Sequence, residues 1–197
     1  MDIQEHKLNM SFNYLVILAI LIALGVAGRL LPHPPNFTPM AAIALFAGFI
    51  FLKRYMAVIA VVVTMLLTDY FAFGYLSAEW FASKSMWVVY LALLFPIVFK
   101  NFLQKKLGLL RVAGAALASS TVFFIATNFA VWAFSPMYEK TWVGLVLCYT
   151  MAIPFFQNTI AGDLIWSGAI FGSYYLLSSY SNLRVLKQKN SLIYSSN

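Results

Sequence analysis

The sequence predicts an all-α membrane protein: a six-helix transmembrane bundle with a short re-entrant or interfacial helix before the last span. Three observations carry this. The 197 residues are 62% hydrophobic and only 10% charged, against about 25% charged in a soluble domain, which leaves too little charge to coat a water-facing surface. The apolar residues gather into long segments, and since a span needs about 20 residues, six spans and their loops use nearly the whole chain. The basic residues cluster at alternate junctions between those segments, the pattern of cytoplasmic loops.

The first apolar segment is Phe12 to Leu31, broken by Pro32-His33-Pro34-Pro35-Asn36. Its apolar run exceeds that of a signal peptide, and Asp2 and Glu5 spoil a basic leader, so it is expected to stay as a span. The second is Thr38 to Leu52, with Thr38 in a capping position and Pro39 at the first helical one. Lys53-Arg54 precede the third, Tyr55 to Tyr75, and a polar stretch with Glu79 and Lys84 follows it. The fourth is Ser85 to Phe99, longer if Asn101 to Leu103 continue it; four basic residues lie between Lys100 and Arg111. The fifth is Val112 to Phe134, closed by a polar turn from Ser135 to Thr141. Trp142 to Phe156 is apolar but short, and Pro154 is expected to end it. It reads as a re-entrant or interfacial helix, with a seventh span as the alternative. Thr159 to Ser178 is the last long segment.

Charge placement decides between six and seven spans. With six, and the N-terminus inside, ten basic residues are cytoplasmic: Lys7, Lys53, Arg54, Lys100, Lys105, Lys106, Arg111, Arg184, Lys187 and Lys189. Three are outside: Arg29, Lys84 and Lys140. A seventh span moves the basic tail outside and removes the bias. The expectation is a single transmembrane domain over residues 1–180, a polar, basic, frayed cytoplasmic tail over 181–197, and a place in the inner membrane with both termini cytoplasmic.

The net charge of +7 is accounted for by this loop asymmetry, so no nucleic-acid partner is implied. One cysteine, Cys148, and two histidines exclude an intrachain disulfide and any multi-cysteine metal site. No Walker motif is present, no catalytic constellation appears, and no metal or cofactor is expected.

The polar residues within the spans are unevenly placed. Arg29 ends the first span, with His33 and Asn36 in the loop after it; Asp69 is in the outer third of the third span; Asn128 and Trp132 are in the outer half of the fifth; Asn158 and Asp163 open the last. All converge on the outer leaflet. Charges in a bilayer pair or face a cavity, so Arg29, Asp69 and Asp163 form either a buried ion-pair triad or one wall of an outward pocket. Arg29 should pair with at least one of the two aspartates. Spans two, four and six begin outside, and their positive N-terminal ends favour a ligand with carboxylate, phosphate or carbonyl groups; Thr38, Ser85 and Asp163 acting only as caps is the plainer alternative. Thr121, Asn128, Trp132 and Ser135 fall on one stripe of the fifth span, and Asp163, Trp166, Ser167 and Tyr174 on one of the sixth. Trp132 then walls a pocket or simply anchors at the interface. His33 is a loop stabiliser or a ligand contact. Ala19, Ala23 and Ala27 recur every four residues on the first span, a spacing that lets helix backbones approach, either within the bundle or against a partner.

The run Arg29-Leu30-Leu31-Pro32-His33-Pro34-Pro35-Asn36-Phe37-Thr38-Pro39, followed by Ala44-Leu45-Phe46, resembles the opening motif of a family of uncharacterised bacterial multi-pass membrane proteins. Thr127 to Trp132, Gly144-Leu145 with Cys148-Tyr149, and Pro154-Phe155-Phe156 with Asn158-Thr159 are similar to its later motifs. The size and six-span layout also resemble the substrate-binding S components of energy-coupling-factor vitamin transporters. That resemblance implies that Ala19, Ala23 and Ala27 contact a transmembrane coupling subunit served by ATPases, and that a vitamin-like ligand or cofactor precursor binds near the outer face. The expected function is small-molecule capture or uptake without catalysis. Arg29, His33, Asn36, Asp69, Asn128, Trp132, Asn158 and Asp163 are the candidate binding residues. A structural or scaffolding subunit and a stand-alone secondary permease are the alternatives, and an intramembrane enzyme would need Asp69 and Asp163 as its acid–base pair.

Overall fold

The computed structural model describes the backbone over residues 3–73 and 82–195, and side chains over 13–72 and 82–180. The expected end of the third span at Tyr75 and the polar stretch at Glu79 lie outside the described residues, as do the side chains of Lys7, Arg184, Lys187 and Lys189.

Every regular element among the described residues is helical: α1 Ile3–Leu30, α2 Met40–Ile50, α3 Arg54–Phe73, α4 Lys84–Leu94, a 3-10 turn Phe95–Phe99, α5 Lys100–Lys105, α6 Leu109–Phe134 and α7 Trp142–Ser195. Five stretches are long and apolar enough to cross a membrane: Asn13–Leu30, Arg54–Ala72, Lys84–Lys105, Leu109–Phe134 and Trp142–Tyr180. The third, Lys84–Lys105, contains Pro96, whose missing N–H interrupts the α-helical ladder; the helix tightens to 3-10 there and resumes at Lys100. Large apolar side chains face outward, Leu109 and Leu110 at 79% and 88% exposure, while Asp69, Asp163, Thr64 and Ser120 are buried. That inversion suits a chain whose solvent is hydrocarbon.

The structure departs from the sequence-based expectation at two elements. The expected second span is an α-helix of only 11 residues, about 16 Å long at 1.5 Å per residue, too short to cross a bilayer alone. Nine of its residues, Met40 to Gly48, are buried, and it touches every other element. A helix apolar all round belongs in a core, and α2 is the post around which the bundle packs. The short re-entrant helix does not exist as a separate element: α7 runs unbroken through Pro154 for 54 residues, and the basic tail continues it to Ser195 rather than fraying. Proline removes only one helical donor, and membrane helices carry it where neighbours support the backbone.

α1 and α3 run parallel. Arg29 meets Asp69 near their C-terminal ends, Gly25 meets Thr64 lower down, and Tyr14 packs edge-on against Phe51 just before α3 begins, ring centroids 5.9 Å apart. A Cβ on Gly25 would fall 2.6 Å from Thr64 Cγ2, so the two helices come this close only because that side chain is absent. The chain returns between them through α2. One end of the bundle is thus marked by Arg29, with Lys84 over the Phe134 ring beyond it. The other is marked by Lys100, whose Nζ donates to the carbonyls of Phe51 at 2.8 Å and Leu52 at 2.6 Å. Lys100, one of the basic residues expected on the cytoplasmic side, is only 9% exposed and holds the carbonyl end of α2. Gln104 Nε2 adds a bond to Phe49 O at 2.7 Å. Between this end and mid-bundle, Phe46, Phe49, Phe171 and Tyr174 form a cluster of mutually tilted and edge-on rings.

Candidate functional site

The N-terminal end of α2 opens onto a cavity of about 150 Å³. A water needs about 10–15 Å³ of such space, so a molecule of several heavy atoms fits. The polar lining comes from three helices, α1, α6 and α7, and the 31–39 loop: Arg29, Asn36, Thr38, Ser119, Thr159 and Asp163. A second cavity of about 80 Å³ shares Asn36 and Thr159 with the first and reaches Thr127 and Asn128 between α6 and α7. Asn36 is exposed and lines both, so it stands at their mouth. Its φ of 64° puts it in the left-handed region, which asparagine tolerates better than other side-chain-bearing residues. The loop is seated by two close approaches, Pro39 against Gly28 and Phe37 against Gly162.

Two carboxyl groups lie near this region in unlike settings. Asp69, 1% exposed, takes Arg29 Nη2 on one oxygen at 2.9 Å and the Tyr90 hydroxyl on the other at 2.8 Å. The other terminal nitrogen of Arg29 lies against Met65 Sδ. Asp69 is therefore fully satisfied and sits behind Arg29 rather than in the cavity lining. Asp163, 4% exposed, accepts the Ser120 hydroxyl on Oδ2 at 2.6 Å. The Arg29–Asp69 contact is the only ion pair among the described residues, so Asp163 has no cationic partner. The expected pairing of Arg29 is present, but the triad is not: it resolves into a neutral pair and a lone carboxylate.

The remaining candidates scatter. Asn128 lines the smaller cavity, with its amide donating to Phe124 O at 2.8 Å. Asn158 is half-buried beside Thr159 and lines neither cavity. His33 contacts the carbonyls of Pro34 at 2.8 Å and Arg29 at 3.3 Å, which makes it a fastener of the α1 end. Trp132 does not wall the cavity; its Nε1 donates to Glu139 O at 2.9 Å and, with Lys140, ties down the α6–α7 turn. Ala19, Ala23 and Ala27 are exposed on the outer face of α1 and are not packed inside the bundle.

Depth and helix ends also differ from expectation. Asp163 lies deep inside α7, and Ser119 and Phe123 lie mid-way along α6, so the cavity is central to these helices rather than at their mouths. Neither Thr38, Ser85 nor Asp163 caps a helix. Pro39 precedes α2 without a side-chain cap, Ser83 caps α4 through Met86 N, and Thr141 accepts from Gly144 N at the start of α7. The α6 stripe of Thr121, Asn128, Trp132 and Ser135 is one step off the functional face. Thr121 is exposed, and the face that counts carries Ser119, Ser120, Phe123 and Thr127. Tyr90 and Ser120 were missed. A tyrosine among apolar residues and a serine in a small-residue run carry no sequence signal for a carboxylate partner.

No curated protein and no solved structure matches the chain at a significant level. One family model, described as a family of unknown function (DUF6580), matches residues 9–186, nearly the whole described chain, and the protein belongs to that family.

Proposed function

We propose that this protein captures a small molecule in the Arg29–Asp163 cavity, in the manner of a transporter S component. The observation that carries the reading is a cavity with a polar rim at the N-terminal end of α2 and apolar packing beyond it. Towards the Lys100 end stand the buried apolar length of α2 and the ring cluster around Phe46. Such a protein binds from one side and needs help to release to the other, which disfavours a stand-alone permease.

In this reading the polypeptide passes the membrane six times, with α2 and its non-helical flanks making the second pass. Lys53, Arg54, Lys105, Lys106 and Arg111 at the Lys100 end put that end in the cytoplasm, with both termini. The cavity then faces outward, and the cargo is a vitamin-like molecule or cofactor precursor of a size the volume admits. The exposed alanines of α1 supply a lipid-facing strip on which a coupling helix could close. The protein binds and does not catalyse.

Mass spectrometry of the protein purified in detergent, with and without denaturation, tests this. The capture reading expects one small molecule released on unfolding and depleted in a Ser119→Leu variant that fills the cavity. Protein that carries nothing, when expressed in its own host in rich medium, speaks for a structural subunit instead. A reporter fused after Asn197 should be active only in the cytoplasm; periplasmic activity would reverse the orientation.

A further inference from the structure

Among the described residues, Asp163 is a buried carboxyl group with no cationic partner. It is 4% exposed, it lines the cavity, and Ser120 occupies Oδ2 alone. Oδ1 receives no hydrogen bond, yet it is not sealed among the buried unsatisfied atoms, so it borders the cavity space. Arg29, which also lines the cavity, is bonded to Asp69 and makes no ion pair with Asp163. One cation, Arg29, therefore stands against two carboxyl groups, and Asp69 takes it. A lone carboxylate in a bilayer is costly, and a cation bound beside it removes that cost.

Resting on the capture reading above, we infer that the captured molecule is a small organic amine whose protonated nitrogen seats on Asp163. The lining favours an organic ligand: eight of the fourteen lining residues are apolar, among them Met40, Met65, Leu93 and Phe123, which suits a carbon skeleton. Arg29 keeps N–H groups beyond those on Asp69 for an acceptor elsewhere on the same molecule.

The test measures binding to the full chain in detergent by calorimetry and by the shift in melting temperature. The probes are ethylamine, butylamine and benzylamine, each beside the alcohol of the same skeleton, with sodium chloride as a separate arm. The expectation is that at least one amine binds about 10- to 100-fold tighter than its alcohol, the worth of a hydrogen bond to a buried charge. Asp163→Asn, which keeps an acceptor for Ser120, should erase that preference. Equal binding of amine and alcohol, no binding by any amine, or a preference that survives in Asp163→Asn overturns the inference. Sodium matching the best amine overturns it in favour of an inorganic cation. If Asp163→Asn does not fold, the wild-type amine-to-alcohol ratio decides alone. A co-purified molecule without a basic nitrogen, displaced by Ser119→Leu, would sink this inference while the capture reading stood.

Discussion

Arg29 and Asp69, forty residues apart in the chain, meet at 2.9 Å with Asp69 almost wholly buried. The pair fixes the depth of α1 against α3 at the level of the cavity. Asp69→Ala strands Arg29 and leaves the Tyr90 hydroxyl without this acceptor, so the loss of stability should be about 3–5 kcal/mol, the cost of breaking a buried pair. Tyr90→Phe removes one hydrogen bond to a charged group and should cost about 1.5–3 kcal/mol. Thermal unfolding in detergent measures both. A smaller loss for Asp69→Ala than for Tyr90→Phe would mean that the pair does not hold the helices.

Lys100 should behave as a buried clamp. Its ammonium closes on the carbonyls of Phe51 and Leu52 just beyond α2, where a helix carries its negative end. Lys100→Met keeps the stem and drops the donors; the expected loss is at least about 1.5 kcal/mol. Lys105→Met, at an exposed position, should stay within about 0.5 kcal/mol of wild type. Equal, small effects from the two would mean that Lys100 does not clamp the end of α2.

The contrast between those lysines shows what was legible. Fold class, the apolar segments and the grouping of Arg29, Asn36 and Asp163 could be read from hydropathy and charge, because the bilayer imposes both. The length of α2 could not: Thr38 to Leu52 reads as a span, whereas the helix itself covers only Met40–Ile50 and gives way to extended backbone at Phe51. Pro154 misled because proline ends helices in water, whereas α7 carries it through. Ser120 on Asp163 and Tyr90 on Asp69 are tertiary facts with no local pattern.

Gly25 sets how closely α1 approaches α3. Gly25→Ala puts a methyl 2.6 Å from Thr64 Cγ2 and 3.1 Å from Ile43 Cδ1. Thr64 is β-branched and bonds back to Ala60 O at 2.7 Å, so it yields poorly. Overpacking of this kind costs about 1–3 kcal/mol, against the slight gain expected from replacing a helical glycine. A melting temperature that rises in Gly25→Ala would show that the two helices part without penalty.

Ala23 offers the opposite case on the same helix. Leu21 and Gly25 are buried, whereas Ala19, Ala23 and Ala27 are exposed. Ala23→Leu therefore points its added carbons away from the bundle and into lipid, which is as apolar as leucine itself. Stability should stay within about 0.5 kcal/mol of wild type; an internal stripe would instead lose about 1–3 kcal/mol to overpacking. With the fold shown intact by its melting temperature, the same variant then addresses docking. If a coupling helix closes on this strip, leucine holds the backbones apart, and Ala23→Leu should abolish assembly with the coupling subunit while capture of the small molecule is kept. Assembly unaffected by Ala23→Leu would move the partner to another face of the bundle.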